Sequence, residues 1–280
     1  MLQKNAGEVA SYESEIEHNP LPPFINFNAD YRVAPNNKLV YCMITKNMCT
    51  IFGEVSCLLF NPETYLEKNI SVTSVMYDDR TCQTAPAVLN NHSKLRKYLG
   101  GDEKNYKYYT VVREPIDRFL SAYTDKCFRE RELLGRYEQC YGCGYDMECF
   151  IDETYKRALM YAAGTRPTPV NMEDYHFLPQ NWKCFFGLEM EKYTFFDYTD
   201  KLKMYDKLDA FYKASGVGMK VREKIQRDLR TSFTLHKTSN SEARKIFENQ
   251  LRNNRKLMAK LINLYYYDFI YFNYSVPILD

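Results

Sequence analysis

Glycine is scarce, 11 in 280 residues, and none falls in the stretch KLVYCMITKNMCTIF from Lys38 to Phe52. That stretch reads as a buried strand passing through a turn into a helix, yet the turn lacks the glycines with which NTPase loops wrap a phosphate. Charge of one sign is lacking too: 38 lysines and arginines stand against 36 aspartates and glutamates, for a formal net charge of +2. This even balance argues against a protein that coats nucleic acid through a dominant basic field, so any anion site must be local. The N-terminus, MLQKNAGEVASYESEIEHNPLPPF, holds no apolar run long enough for a signal peptide or a membrane anchor. No internal repeat or low-complexity tract is evident. Histidine is sparse, at four residues, which narrows the search for a base that titrates near neutrality.

What is present suits one substantial core. A chain of this length with 45% apolar residues is expected to fold as a single domain over 31–280, preceded by an irregular arm over 1–30. The 25 tyrosines and 17 phenylalanines suit dense packing and are compatible with a sugar-binding cleft. Nine cysteines would be natural in an oxidising lumen, with at least one left unpaired by the odd count. Glycosylation triplets at Asn69, Asn91 and Asn273 allow the same compartment. With no anchor visible, the sequence leaves the lumen and the cytoplasm both open.

Leu39 to Ile44 is an apolar run fit for a buried strand, and Ile51, Phe52, Val55, Leu58 and Leu59 then recur at helical spacing until Pro62. A second unit follows in YKYYTVVREPIDRFLSAYTDKCF. There Tyr108 to Val112 reads as strand, Pro115 suits a first helical turn, and Ile116, Phe119, Leu120 and Tyr123 make the apolar stripe, with Ser121 off it. Between the units lies a polar segment closed by a turn at Gly100-Gly101. Arg129 to Cys149 reads as an insertion with local staples: Cys140, Cys143 and Cys149 are taken as disulfides or free thiols, with Cys184 a remote partner, and no metal site is expected. Helices are expected within Tyr155 to Gly164 and Asp200 to Arg230. Ser239 and Glu242 match a capping box for a helix continued by Leu257, Met258, Leu261, Ile262 and Tyr265. Trp182 and the terminal YYYDFIYFNY suit core packing, with sugar stacking as the alternative for Trp182.

Two strand-to-helix turns bearing cations suggest an open α/β sheet with its ligand at the carboxyl ends of the strands. A helix N-terminus attracts an anion even without glycines. Lys46 would add a full charge and Thr50 a hydroxyl; the alternative is a surface lysine in an ordinary turn. Arg113, ending the second strand, can grip another phosphate together with Ser121, or can pair with Glu114 or Asp117. Two anion grips on adjacent units suit a nucleotide carrying phosphates at two places.

At these residues the chain resembles a known family. CMITKNMCT resembles the 5′-phosphosulfate loop, and VVREPIDRFLSAYTDK the 3′-phosphate motif, of carbohydrate sulfotransferases similar to chondroitin 4-O-sulfotransferase, which use 3′-phosphoadenosine 5′-phosphosulfate (PAPS). HFLPQNWKC from His176, HKTS from His236 and the terminal aromatic run are similar to later segments, so the resemblance spans Lys38 to Tyr274. One departure is that Asn47-Met48-Cys49-Thr50 stands where chondroitin-type members carry a basic residue, a small one and Cys-Thr-Asn-Trp. Another is the absence of the N-terminal helix that anchors those enzymes in the Golgi membrane.

The resemblance implies a P-loop-like three-layer α/β fold, a central parallel sheet flanked by helices. It implies PAPS held by Lys46, Asn47, Met48, Cys49 and Thr50 at one end and by Arg113 and Ser121 at the other, with Lys237, Thr238 and Ser239 closing over it. Lys46 would neutralise charge on the leaving oxygen, as in phosphoryl transfer. For the base that deprotonates the acceptor hydroxyl, His92 is the first choice and His176 the second, with Glu114 and Asp117 as outside candidates. The implied acceptor is a glycosaminoglycan, chondroitin or dermatan, in the Golgi lumen, with Lys94, Arg96, Lys97, Arg129, Arg131 and Arg136 available to line the cleft. The rival readings are an ATP-binding kinase-like P-loop protein and an inactive glycan-binding relative.

Overall fold

The computed structural model describes residues 18–27, 29–74, 82, 86–231 and 241–279. Five strands, β1 (Asp30–Ala34), β2 (Leu39–Met43), β3 (Val88–Leu89), β4 (Lys107–Val112) and β5 (Tyr193–Asp197), form one sheet in the order β3-β1-β2-β4-β5. β2, β4 and β5 run parallel, whereas β1 is antiparallel to both β2 and β3. The sheet is therefore mixed, not parallel throughout. The cause is local: β1 and β2 are joined by a single short turn at Pro35–Asn37, and so short a link can return the chain only antiparallel.

The helices are α1 (Cys49–Phe60), α2 (Pro62–Glu67), α3 (His92–Leu99), α4 (Pro115–Tyr123), α5 (Glu130–Leu134) and α6 (Met147–Ala162). There follow α7 (Met172–Phe177), α8 (Phe186–Glu189), α9 (Lys201–Ala214), α10 (Met219–Thr231), α11 (Glu242–Arg252) and α12 (Arg255–Tyr271). Side chains alternate across the strands, and the two sets feed different cores. Leu39, Tyr41, Met43, Tyr109, Val111 and Phe196 pack with Leu58 of α1, Leu208 of α9 and Ile225 of α10. Val40, Cys42, Tyr31, Val33 and Tyr108 pack on the other side with Leu95 of α3 and with Phe186. A third cluster joins Phe119 of α4, Phe150 of α6, Phe247 of α11 and Tyr265 of α12. Each such ring, fully buried, contributes about 1.5–3 kcal/mol.

Caps explain most helix boundaries. α1 ends at Asn61, whose side chain accepts from Thr64 N and opens α2, with Pro62 next. Glu114 caps α4 by accepting from Asp117 N at 2.6 Å. The segment read as polar contains α3: Asn91 accepts from Lys94 N at 2.8 Å, and Gly100, at φ 60°, closes the helix in the left-handed conformation. The cap of α11 is Ser241, accepting from Arg244 N at 3.3 Å, in place of the expected Ser239, which lies outside the described residues. Trp182 is 1% exposed and donates to the carbonyl of Pro22 at 2.9 Å, so it is a core residue and offers no face to a sugar. Through that bond, and through Leu21 N to Asn263 O and Phe27 N to Trp182 O, residues 18–27 lie against the body.

Eight cysteines pair: Cys42–Cys184, Cys57–Cys82, Cys127–Cys140 and Cys143–Cys149. Within the insertion Cys143 and Cys149 form a local staple, Cys140 instead reaches back to Cys127 just before it, and Cys184, expected as a remote partner for the insertion, pairs with Cys42 on β2. Cys49 is the free thiol.

Candidate functional site

The turn after β2 solves the missing-glycine problem by strain. Lys46 (φ 69°) and Met48 (φ 58°) both take left-handed backbone, at a cost of roughly 1–2 kcal/mol each for side-chain-bearing residues. Such strain persists only where the surroundings enforce it, and here they do. Asn47 is fully buried and its amide donates to Val111 O (2.8 Å) and to Gln180 Oε1 (2.6 Å). Arg118 Nε donates to Thr45 O at 3.1 Å, and the Thr45 hydroxyl donates to Tyr175 O at 2.5 Å. Arg113 Nη1 donates to the carbonyl of Lys46 itself at 2.8 Å. The turn then feeds into α1, whose first amides point back toward it unpaired within the helix.

The second turn, after β4, is built around Arg113, 5% exposed. Its Nε donates to Asp117 Oδ2 at 2.5 Å, and its guanidinium stacks 4.5 Å from the Tyr198 ring. Asp117 is shared: Arg244 Nη2 reaches its other oxygen at 2.5 Å. Burial pushes the Asp117 carboxyl up, but the two arginines outweigh burial and hold it below the usual range. Gln180 ties the turns together, accepting from Arg113 N (3.1 Å) and donating to Arg113 O (2.8 Å) while it accepts from Asn47. Gln180 is anchored in its turn, because its N–H donates to Asp268 on α12 at 2.8 Å.

Lys46 Nζ lies 3.0 Å from Asp125 Oδ2. Asp125 sits in the wide π-helical turn Thr124–Arg129 that continues α4; π-turns of this kind recur at functional sites. Its other oxygen accepts from Arg129 Nε and Nη2, at 2.9 and 2.6 Å. Beside it, Glu130 binds Lys126 and, at 2.8 Å, Arg136. Four cations thus face two carboxylates, and Arg118, fully buried, hydrogen-bonds the carbonyl oxygens of Thr45 and Leu178. An excess of positive charge held this way suits an anionic ligand.

His176 on α7 belongs to the same surroundings. Its Nδ1 lies 2.8 Å from the carbonyl oxygen of Met172. A carbonyl can only accept, so Nδ1 carries the hydrogen and Nε2 keeps its lone pair. Burial first, then the charges of Lys126 and Lys46, push this imidazole well below its ordinary value. It is neutral at neutral pH and competent as a base.

Residues 29–275 match the model of the sulfotransferase family. The chain belongs to that family. This sulfotransferase is 31% identical over 259 residues to an uncharacterized Caenorhabditis elegans protein, C18B2.2, covering 91% of the chain and 72% of the relative. It is 27% identical over 267 residues to the Caenorhabditis elegans carbohydrate sulfotransferase chst-1, covering 93% and 80%. No solved structure matches it significantly.

Within the sulfotransferase, Lys46, Asn47, Arg113 and His176 come together. Met48 and the half-buried Cys49 and Thr50 form the entry to α1. Ser121, expected off the apolar stripe, is buried, because α4 is packed nearly all round. His92 stands elsewhere: its ring stacks on Phe185 at 4.1 Å, its Nδ1 is 3.3 Å from Tyr31 Oη and its Nε2 is 3.6 Å from Glu189. Those partners lie on β1 (Tyr31), at Phe185 and on α8 (Glu189), not on the two turns that carry Lys46 and Arg113. Lys237, Thr238 and Ser239 lie outside the described residues. The six basic residues divide: Lys94, Arg96 and Lys97 belong to α3, whereas Arg129 and Arg136 are bound by Asp125 and Glu130, and Arg131 donates to Tyr137 O. Among the described residues no group of three or more metal-ligating side chains converges.

Sequence reasoning gave no role to Gln180, Asp125 or Arg118, although all three stand inside quoted motifs. Local spacing does not mark them, because the partners through which they act are 67 to 133 residues away in sequence for Gln180 and, for the bond to Lys46, 79 for Asp125.

Proposed function

We propose that this sulfotransferase transfers the sulfuryl group of PAPS to a carbohydrate hydroxyl. The observation that carries the reading is the bond from Arg113 to the Lys46 carbonyl: it joins two cationic turns on the neighbouring parallel strands β2 and β4, as a donor charged at both ends requires. Lys46, with the N-terminus of α1, serves the 5′-phosphosulfate and offsets the charge that collects on the leaving phosphate oxygen. Arg113 and Ser121 serve the 3′-phosphate. His176, through Nε2, takes the proton of the acceptor hydroxyl as its oxygen attacks sulfur; we prefer it to His92 because His176 shares the surroundings of Lys46. The chain's residues do little covalent work. Positioning and charge neutralisation supply the rate.

The resemblance of VVREPIDRFLSAYTDK favours chondroitin or dermatan as acceptor, and the likeness to the carbohydrate sulfotransferase chst-1 supports a carbohydrate. Four disulfides support maturation in an oxidising compartment and, with it, the Golgi lumen. Among the described residues no helix is long and apolar enough to cross a membrane. The test is transfer of labelled sulfate from PAPS to a panel of desulfated glycosaminoglycans and neutral glycans, with Lys46→Ala and Arg113→Ala as controls. Transfer by the unaltered enzyme that collapses in both variants is expected; a rate equal to that of the variants would leave a glycan-binding protein instead. Tighter binding of ATP than of adenosine 3′,5′-bisphosphate would favour the kinase-like alternative.

A further inference from the structure

The Lys46 ammonium has one carboxylate within ion-pair distance among the described residues, that of Asp125. Around it stand the Cys49 thiol at the start of α1, Asp125, Lys126 and Arg129 on the π-turn, His176 on α7, and the Arg113 guanidinium on its own carbonyl. Lys126 and Arg129 add like charge beside it, and the Lys46 side chain is only 16% exposed. Left to such company, an amine would shed its proton.

We propose that Asp125 is the positioning residue of Lys46, keeping its ammonium charged and fixed beside the turn until an incoming anion takes over the contact. The inference deepens the proposed function and rests on it for the role of Lys46. Three features support it. First, Asp125 is itself immobilised: Arg129 occupies its Oδ1 with two hydrogen bonds, while Oδ2 takes the hydrogen bond from Lys46 at 3.0 Å with Lys126 farther off at 3.6 Å. Second, the π-turn supplies the placement, because the wide turn begins at Thr124, where α4 stops, and so sets the register of the following residues off from that of an α-helix. Third, the balance of charge is right on both sides of donor binding. Asp125 and Glu130 together cannot neutralise Lys46, Lys126, Arg129 and Arg136, so an anion arriving at Lys46 meets a site that is still positive. Burial acts to lower the affinity of Lys46 for its proton, and Asp125 is the largest influence opposing it; the carboxyl in turn is held well below the usual range by Lys46, Lys126 and Arg129 against the effect of burial. A positioning carboxylate that never touches the donor would then control how much of the enzyme carries a charged Lys46.

The test reads Lys46 directly and needs no donor. Pulsed acetylation with acetic anhydride across a pH series, with the Lys46 peptide followed by mass spectrometry, gives the pH at which the amine becomes reactive. In the unaltered protein this midpoint is expected below that of an exposed lysine, as burial dictates, yet high enough that the amine stays largely unreactive at neutral pH. Asp125→Asn is expected to lower it by at least one unit, so that labelling at neutral pH rises about tenfold, and Asp125→Glu is expected to restore it. If Asp125→Asn does not fold, as judged by circular dichroism, Asp125→Ser carries the same expectation. An unaltered-protein midpoint below pH 7, or a folded Asp125 variant whose midpoint does not move, would overturn the proposal. Because labelling is independent of sulfate transfer, a moved midpoint in a protein that transfers no sulfate would sink the proposed function alone, and an unmoved midpoint in an active enzyme would sink this inference alone.

Discussion

Arg113 donates from its guanidinium to the main-chain oxygen of Lys46 across 2.8 Å. The same side chain grips Asp117 at 2.5 Å and covers the Tyr198 ring, so a single residue sets the curl of the first turn and furnishes the cation of the second. A lysine can keep the charge but has no planar fork with which to reach two acceptors. Arg113→Lys is therefore expected to weaken binding of adenosine 3′,5′-bisphosphate by at least tenfold, in line with about 1.5–3 kcal/mol for a hydrogen bond to a charged group. Isothermal titration calorimetry reads this. An affinity equal to that of the unaltered protein would separate Arg113 from the nucleotide.

The histidine assignment yields a pH profile with a defined sign. His176 must be neutral to act, and its proton affinity in the folded protein is depressed below the ordinary value of 6.5 by burial and by Lys126 and Lys46. Activity should accordingly persist below pH 6.5 and fall only as the pH passes through the lowered value. His176→Asn is expected to reduce kcat by about 10²–10⁴-fold, the usual contribution of a general base, and to flatten the acidic limb of the profile. His92→Asn should leave that limb in place, since His92 contacts Tyr31, Phe185 and Glu189. Were His92→Asn the variant that removes it, the assignment would reverse.

The two strand-to-helix units were legible because each carries its own evidence locally: a continuous apolar run followed by an apolar stripe at helical spacing, bounded by Pro62 after the first helix and by Pro115 at the start of the second. β2 and β4 lie within one residue of the expected limits, and α1 ends before Pro62 as expected. β1 was not legible, because DYRVA offers five residues with no distinctive period beside proline-marked turns, and its strand identity comes from pairing with β2 and β3. The cations Lys46 and Arg113 could be named from their places after strands. Their proximity could not, since it depends on the parallel register of β2 and β4 and on Gln180 arriving from a distant segment. Likewise Cys42 and Cys184 are 142 residues apart, and nothing in their spacing selects one partner among nine cysteines.

Gln180 should behave as a structural tie between the turns. Its side chain satisfies the Asn47 amide and both main-chain groups of Arg113 inside the core. Gln180→Ala leaves those groups buried without partners, for a loss of about 1–3 kcal/mol. That corresponds to a fall in Tm on the order of 5 °C, measurable by scanning calorimetry, with a parallel loss of nucleotide affinity as the strained turn at Lys46 relaxes. A Tm lowered with affinity intact would show that the turn is held without Gln180.

The disulfides differ in the length of chain they close, and their removal should rank accordingly. Cys42–Cys184 spans 142 residues, whereas Cys143–Cys149 spans 6. In the loop-entropy account the longer bridge contributes about 4–5 kcal/mol and the shorter about 2 kcal/mol. The longer bridge also joins β2 to the Cys184 and Phe185 pair, both in left-handed backbone at φ 59° and 61°, so its loss frees a strained segment packed against the sheet. The Cys42→Ala/Cys184→Ala pair is expected to lower the urea midpoint more than Cys143→Ala/Cys149→Ala does. Alkylation of the unreduced, denatured protein should first show a single modified thiol, at Cys49. More than one modified thiol would contradict the pairing, and an equal loss from the two bridges would mean that strain relief in the folded state, and not the entropy of the unfolded chain, governs their contribution.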